Sequence, residues 1–357
     1  MERRPFVQKI ARQRATVRSS IIGVAALLSG LFFWNAPAQC ASSPTLKEVL
    51  ERGHLNCGVS QGLQGFSYLA PGGIWTGIDV DTCRAIASAI FGDPGKVKFK
   101  RLSAKKRFTT LQNKDIDVLV RHTAWAKRRE GPLGLKFSGT NFVESLGFMV
   151  TKSKGVGSAK ELSNPVICTW HKNYFEPAVE KFFKSNNVSF EKKTSSDIGQ
   201  ALRAYDFGSC DVMPLERTGL GFQRHRMRKP DDHMILPDTL GESRLGPYVR
   251  ANDSGWNDVI KWTLNALVVA DEKGIAAANV DASVSASDGE TRRLLSVEGT
   301  VCEDLGLPAR CFYNVIRNVG NYSEMFARNV GPGTWMNLDQ GDNKPESRGG
   351  KLKSFTF

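Results

Sequence analysis

The chain has 357 residues, 41% of them hydrophobic and 24% charged, which describes a soluble globular protein long enough for two ordinary domains. Its formal net charge is +13. The first 38 residues carry six Lys/Arg and one Glu, so the 43 basic and 35 acidic residues that follow hold only +8, too diffuse to demand a nucleic-acid partner.

Residues 1–38 read as an export signal. A basic segment precedes the apolar run IIGVAALLSGLFFW, and Ala36-Pro37-Ala38 forms a small-residue cleavage site. The run is shorter than the ~20 residues a membrane span needs. Arg3-Arg4 leaves a twin-arginine route open beside the general one. Thr45–Arg52 reads as a short helix ended by Gly53, His54–Val59 as a strand, and Ser60–Phe66 as a glycine-bearing loop. At Gly77 a turn opens an acidic-headed helix whose apolar positions Ile78, Cys83, Ile86, Ala87 and Ile90 recur at helical spacing. Its N-terminus is expected to face a ligand cleft. Strand 97–102, helix 104–113 and strand 117–120 continue the alternation, and strand 142–151 leads out of this region.

A second alternation follows: strand 166–169, helix 174–185, strand 188–192, helix 197–207 and strand 210–214. The segment 245–250 then runs back to the first region. Trp256, Val259, Ile260, Thr263, Leu264, Leu267 and Val268 mark one face of a strong helix. The basic run Arg224–Lys229 meets Pro230-Asp231-Asp232 at once and reads as a solvated face. The tail after Arg328 is expected to wrap over the surface.

Seven cysteines in an exported chain point to disulfides. Their positions pair Cys57 with Cys83, Cys168 with Cys210 and Cys302 with Cys311, leaving Cys40 over. Two α/β lobes joined by two extended crossings make a hinged clamshell, closing on a small charged molecule. The five histidines are scattered, and no metal or other cofactor is expected.

Several blocks are familiar: GVSQGLQGFS, WTGIDVDTCRAIA, LSAKKRFTTLQ, WAKRREGPLGLKFSG, GFMV, DVIKWTLNAL and VGNYSEMFARNVGPG. From about Thr45 to Gly333 the chain closely resembles the general amino-acid-binding periplasmic proteins of bacterial ABC uptake systems, solute-binding protein family three. The resemblance implies an α/β, two-lobed, type II periplasmic-binding-protein clamshell with two hinge crossings. Lobe 1 is expected over 43–148 and 246–357, and lobe 2 over 149–245. It further implies a monomer in the periplasm, delivering an amino acid or related small organic anion to an ABC permease in the inner membrane.

In that family an arginine and backbone N–H groups hold the ligand's α-carboxylate, and a carboxylate of the second lobe holds its ammonium. Arg129 matches the arginine, whose planar fork suits a carboxylate. Glu216 stands where the family usually has Asp. The loop His122-Thr123-Ala124-Trp125-Ala126 replaces the usual Asn-Thr-Thr-Trp-Thr, so two hydroxyls become methyls. His171-Lys172-Asn173-Tyr174-Phe175 replaces a loop of small residues. Ser60 and Leu63 complete the expected ligand-binding set, and Trp75, Phe66 and Trp170 are candidate walls. His122, His171 and Lys172 with Arg121 and Arg129 would make the cleft electropositive, with Glu216 its one assigned acid, and so suit an acidic ligand. Two other functions compete: a sensor or assembly protein that kept the fold and lost amino-acid binding, and a periplasmic dehydratase using His171, Lys172 and Glu176 for proton transfer.

Overall fold

Two large hydrophobic cores and a smaller one around Leu111, Leu119 and Tyr248 organise the computed structural model, which describes residues 43–171, 173, 175–285 and 288–357. The expected export signal, Cys40 and Lys172 lie outside the described residues. The strand Leu55–Val59 is apolar and almost wholly buried, as a central strand must be. It pairs in parallel with Val97–Arg101 and Val118–Leu119. Tyr248–Arg250 and Leu135–Phe137 extend this five-stranded sheet by antiparallel pairing.

Two helices cover the sheet. Ile78–Phe91 is buried nearly all round and carries Cys83, which is bonded to Cys57. Ser254–Glu272 is capped by the Asp253 side chain, which accepts from the Trp256 N–H. Asp253 also accepts from Ser43 Oγ and the Thr45 N–H, so one carboxylate joins the caps of two helices. Phe312 and Trp256 are among the largest buried side chains of this core, and the Cys302–Cys311 bridge closes a loop at its margin.

The second core forms around the ten-residue strand Phe142–Thr151. This strand pairs antiparallel with Met213–Glu216, His233–Ile235 and Leu240–Leu245 along successive parts of its length. Phe142 and Val143 belong to the first core, and Phe148, Met149 and Val150 to the second, so the strand itself passes between lobes. The Cys168–Cys210 bridge lies within the second core.

The strand expected at 188–192 instead runs Glu191–Ser195, parallel to Val166–Trp170. Val188 is drawn into the core directly after the preceding helix, and the charged residues that follow form a solvent-facing edge strand. The strand expected at 210–214 is displaced likewise to Met213–Glu216, because Cys210 is held by its disulfide and Asp211 accepts from the Val166 N–H.

The two crossings run side by side. Ser138 N donates to Pro247 O at 3.0 Å and Asn141 N to Leu245 O at 2.9 Å. A Cβ on Gly246 would lie 1.9 Å from Gly139 O, so only glycine permits this approach. The C-terminal tail does more than cover the surface. Asn343 accepts from Val143 N and donates to Val143 O, while Asp339 pairs with Arg217 across the lobes. Among the described residues no helix is long and apolar enough to cross a membrane.

Candidate functional site

Asp79 sets the first wall of the site. Its carboxylate accepts the His122 N–H at 2.9 Å and Asn141 Nδ2 at 3.2 Å, fixing the 121–126 loop over the end of the sheet. Burial raises its pKa, while His122 and Asn141 act against the rise. The helix N-terminus carrying Asp79 turns to the glycine-bearing loop rather than to a ligand cleft, contrary to expectation. Ile78 N donates to Gly65 O, and the N–H groups of Asp79 and Val80 to Phe66 O. Those donors are therefore already satisfied by the glycine-bearing loop.

Tyr248 fixes the far end of the same loop, donating to Ala124 O and accepting the Ala126 N–H. Phe66 packs edge-on against the His122 ring at 4.2 Å. Arg129, on the single turn Lys127–Glu130, is nearly buried. Its guanidinium lies 5.3 Å over Phe108 and 5.9 Å over Tyr248, and its Nη1 is buried without a hydrogen-bond partner among the described residues. Arg107 lies 4.6 Å over the same Phe108 ring, with an equally orphaned Nε. Burial, reinforced by Arg121 and Arg129, pushes the Arg107 guanidinium down to about 10.

Both arginines line a cleft of about 530 Å³ between the lobes. His122 and Ala124 share this lining, and the second lobe contributes Glu216, Thr218 and Gly219. Glu144 and Glu242 also reach it, so Glu216 is not its one acid. Arg121 does not line it; its Nε donates to Leu102 O. The cleft is therefore bipolar rather than uniformly electropositive. It offers unpartnered cationic donors on one side and several carboxylates elsewhere, which suits a ligand carrying both signs of charge.

The other expected ligand residues do not join this lining. Thr123 is buried with its hydroxyl donating to Arg121 O. Ser60 closes its own loop, its Oγ accepting from Leu63 N and Ser67 Oγ, and Leu63 is exposed. Asn173 is buried, accepting from Phe175 N and donating to Thr169 Oγ1, so it shapes the start of the next helix. His171 is exposed, its N–H donating to Ser195 O. Trp75 packs on Phe99 and Trp170 against the second core. Sequence reading missed Arg107, Glu144, Ser145 and Thr218. A charged residue inside the apolar run before Gly147-Phe148-Met149-Val150 was the available signal for Glu144.

The match to known proteins agrees with this architecture. Residues 55–274 match the family of bacterial extracellular solute-binding proteins, family 3. The chain belongs to that family: its fold is the type II periplasmic-binding-protein fold, and its role is to bind a substrate. It is 40% identical to the general L-amino acid-binding periplasmic protein AapJ of Rhizobium johnstonii, over 93% of this chain and 96% of that protein. The glutamate/glutamine/aspartate/asparagine-binding protein BztA of Rhodobacter capsulatus is 37% identical, over 94% and 97%. A solved ABC transporter periplasmic binding protein from Brucella ovis, with glutathione bound, superposes with a TM-score of 0.68 at 40% identity, covering 88% of this chain and 99% of that one. These relatives are binding proteins, and AapJ is a periplasmic one.

Proposed function

We propose that this chain is the periplasmic substrate-binding subunit of an ABC uptake system, and that it captures an amino acid or related small organic anion with more than one carboxylate. The ligand lies between lobe 1 (43–148 and 246–357) and lobe 2 (149–245). The monomer then hands it to an inner-membrane permease, after residues 1–38 have directed export. No bond of the ligand is made or broken.

One observation carries this reading: Arg107 and Arg129 line the same cleft, each with a buried nitrogen lacking a partner among the described residues. A buried guanidinium donor left unmade is costly, so a bound carboxylate on each removes that penalty. Glu216, His122 and Ala124 complete the pocket, with Glu216 or Glu144 toward the ammonium. Some of the ligands named for the relatives suit the same chemistry, while glutamine and asparagine, named beside them for BztA, carry one carboxylate only. Glutamate and aspartate carry two carboxylates and one ammonium, as does glutathione.

The test is a thermal-shift panel on the exported protein with neutral amino acids, acidic amino acids, glutathione, and glutarate as an amine-free dicarboxylate. A ligand at a hundred times its dissociation constant stabilises the folded state by about 2.7 kcal/mol. Acidic amino acids or glutathione should give the largest shift. No response across the panel would move the assignment to a sensor that kept the clamshell and lost its amino acid.

A further inference from the structure

A second cavity of about 500 Å³ lies against the helix Ser254–Glu272, and none of its lining residues is shared with the cleft. Leu264 and Val268 form its apolar floor. Trp125 and Phe355 stand at its walls and are 56% and 52% exposed, unusual for rings of that size. Trp125 stacks on Phe137 at 5.6 Å and only 10° from parallel, leaving its other face open to a flat partner. The Phe355 backbone is clamped by Asn265, which donates to Phe355 O and accepts from Phe355 N, both at 2.8 Å. The backbone bearing this half-exposed ring is therefore held in place.

The charge around the cavity is one-sided. Lys136, Arg244, Lys261 and Lys353 line it, against Asp258 alone among carboxylates. Arg244 is engaged by Glu242 and Lys351 O. The Lys261 ammonium instead rests 5.3 Å over the Phe355 ring and 5.6 Å over Trp262, and it forms no ion pair among the described residues. Ser138, also in the lining, is nearly fully buried and its Oγ has no hydrogen-bond partner among the described residues. Two half-exposed ring walls, a cation held at a ring face and an orphaned buried hydroxyl together describe a site awaiting a ligand.

We infer that this cavity is a second binding site, independent of the cleft, for a flat aromatic carboxylate. The ring would lie between Trp125 and Phe355, and the carboxylate would take Lys261 with Lys353 or Lys136. The inference does not depend on which ligand the cleft accepts.

The test is calorimetric titration of the exported protein with naphthalene-1-carboxylate, with the neutral 1-naphthalenemethanol beside it. Expected is one-site binding of the carboxylate that persists in Arg129→Ala, falls at least tenfold in Lys261→Glu, and is at least tenfold weaker for the alcohol. Phe355→Ala removes a wall without touching charge and should weaken both probes at least fivefold, so the proposal stays testable should Lys261→Glu fail to fold. Binding that disappears in Arg129→Ala yet survives Lys261→Glu would place the probe in the cleft and overturn the proposal. Absence of binding at millimolar probe would overturn it as well.

Discussion

His122 Nε2 stands 3.7 Å from Glu144 Oε2. The histidine belongs to the loop fixed by Asp79 in the first lobe, while the same glutamate accepts from the N–H and hydroxyl of Thr218 in the second. One buried carboxylate thus joins the two walls of the cleft. Glu144→Ala strands three donors (Thr218 N, Thr218 Oγ1 and Ser145 N) and should cost about 2–4 kcal/mol in urea unfolding. Glu144→Gln keeps an acceptor and should cost less than half as much. Equal losses would show that the charge, which both variants remove, rather than the shape and acceptor that Glu144→Gln keeps, is what matters at this position.

Arg129 anchors the ligand if the cleft works as proposed. Removing one partner of a desolvated charge pair costs about 2–5 kcal/mol, so Arg129→Ala should raise the dissociation constant at least 30-fold. Arg129→Lys should recover only part of this, because an ammonium cannot reproduce the bidentate fork. Calorimetry with the ligand identified by thermal shift reads both.

Two substitutions separate the poles of the pocket. Arg107→Gln should weaken acidic amino acids roughly tenfold, the loss of about one charge-assisted hydrogen bond, and leave neutral ones nearly unchanged. Glu216→Gln should weaken every ligand that carries an ammonium and spare glutarate. A parallel loss for all ligands in both variants would contradict this division of roles.

Gly77 is confined by space as well as by backbone. Its φ is +124°, and an added Cβ would lie 2.1 Å from Phe66 O. That carbonyl accepts the Asp79 and Val80 N–H groups, so it cannot withdraw without uncapping the helix. Gly77→Ala should therefore cost more than about 3 kcal/mol, by combining backbone strain with lost capping. The midpoint of urea unfolding measures it.

His233 couples stability to acidity. It is buried, with Nδ1 2.9 Å from Tyr205 Oη, and burial lowers its pKa below the ordinary 6.5, with Arg224 adding to the fall and Asp206 and Asp232 opposing it. Below pH 6.5 the unfolded chain takes up a proton at this site before the folded one does. This contribution to stability is thus complete above that pH and is lost as pH falls. The slope should not exceed about 1.4 kcal/mol per pH unit. Unfolding of wild type and His233→Gln at pH 7.5 and 5.5 should show the wild type losing more on acidification. Equal losses would exclude His233 as the source.

What the amino-acid sequence by itself determined is everything carried by local spacing and by the familiar blocks. The buried faces of Ile78–Phe91 and Ser254–Glu272 follow from helical periodicity, and the three cysteine pairs follow from the elements that bear them. Arg129, His122, Ala124 and Glu216 were legible as cleft residues through their place in motifs. Thr123, Ser60 and Asn173 share those motifs, yet each spends its polar side chain on its own loop. Only the tertiary structure decided that difference, because a hydroxyl or amide serves whichever partner lies within 3 Å or so, and spacing does not say which. The same holds for the helix donors taken by Gly65 and Phe66, and for Arg107 and Glu144, which reach the cleft from separate segments of chain. Periodic burial is a local property of the chain, whereas satisfaction of a polar group is settled by distant residues that folding brings beside it.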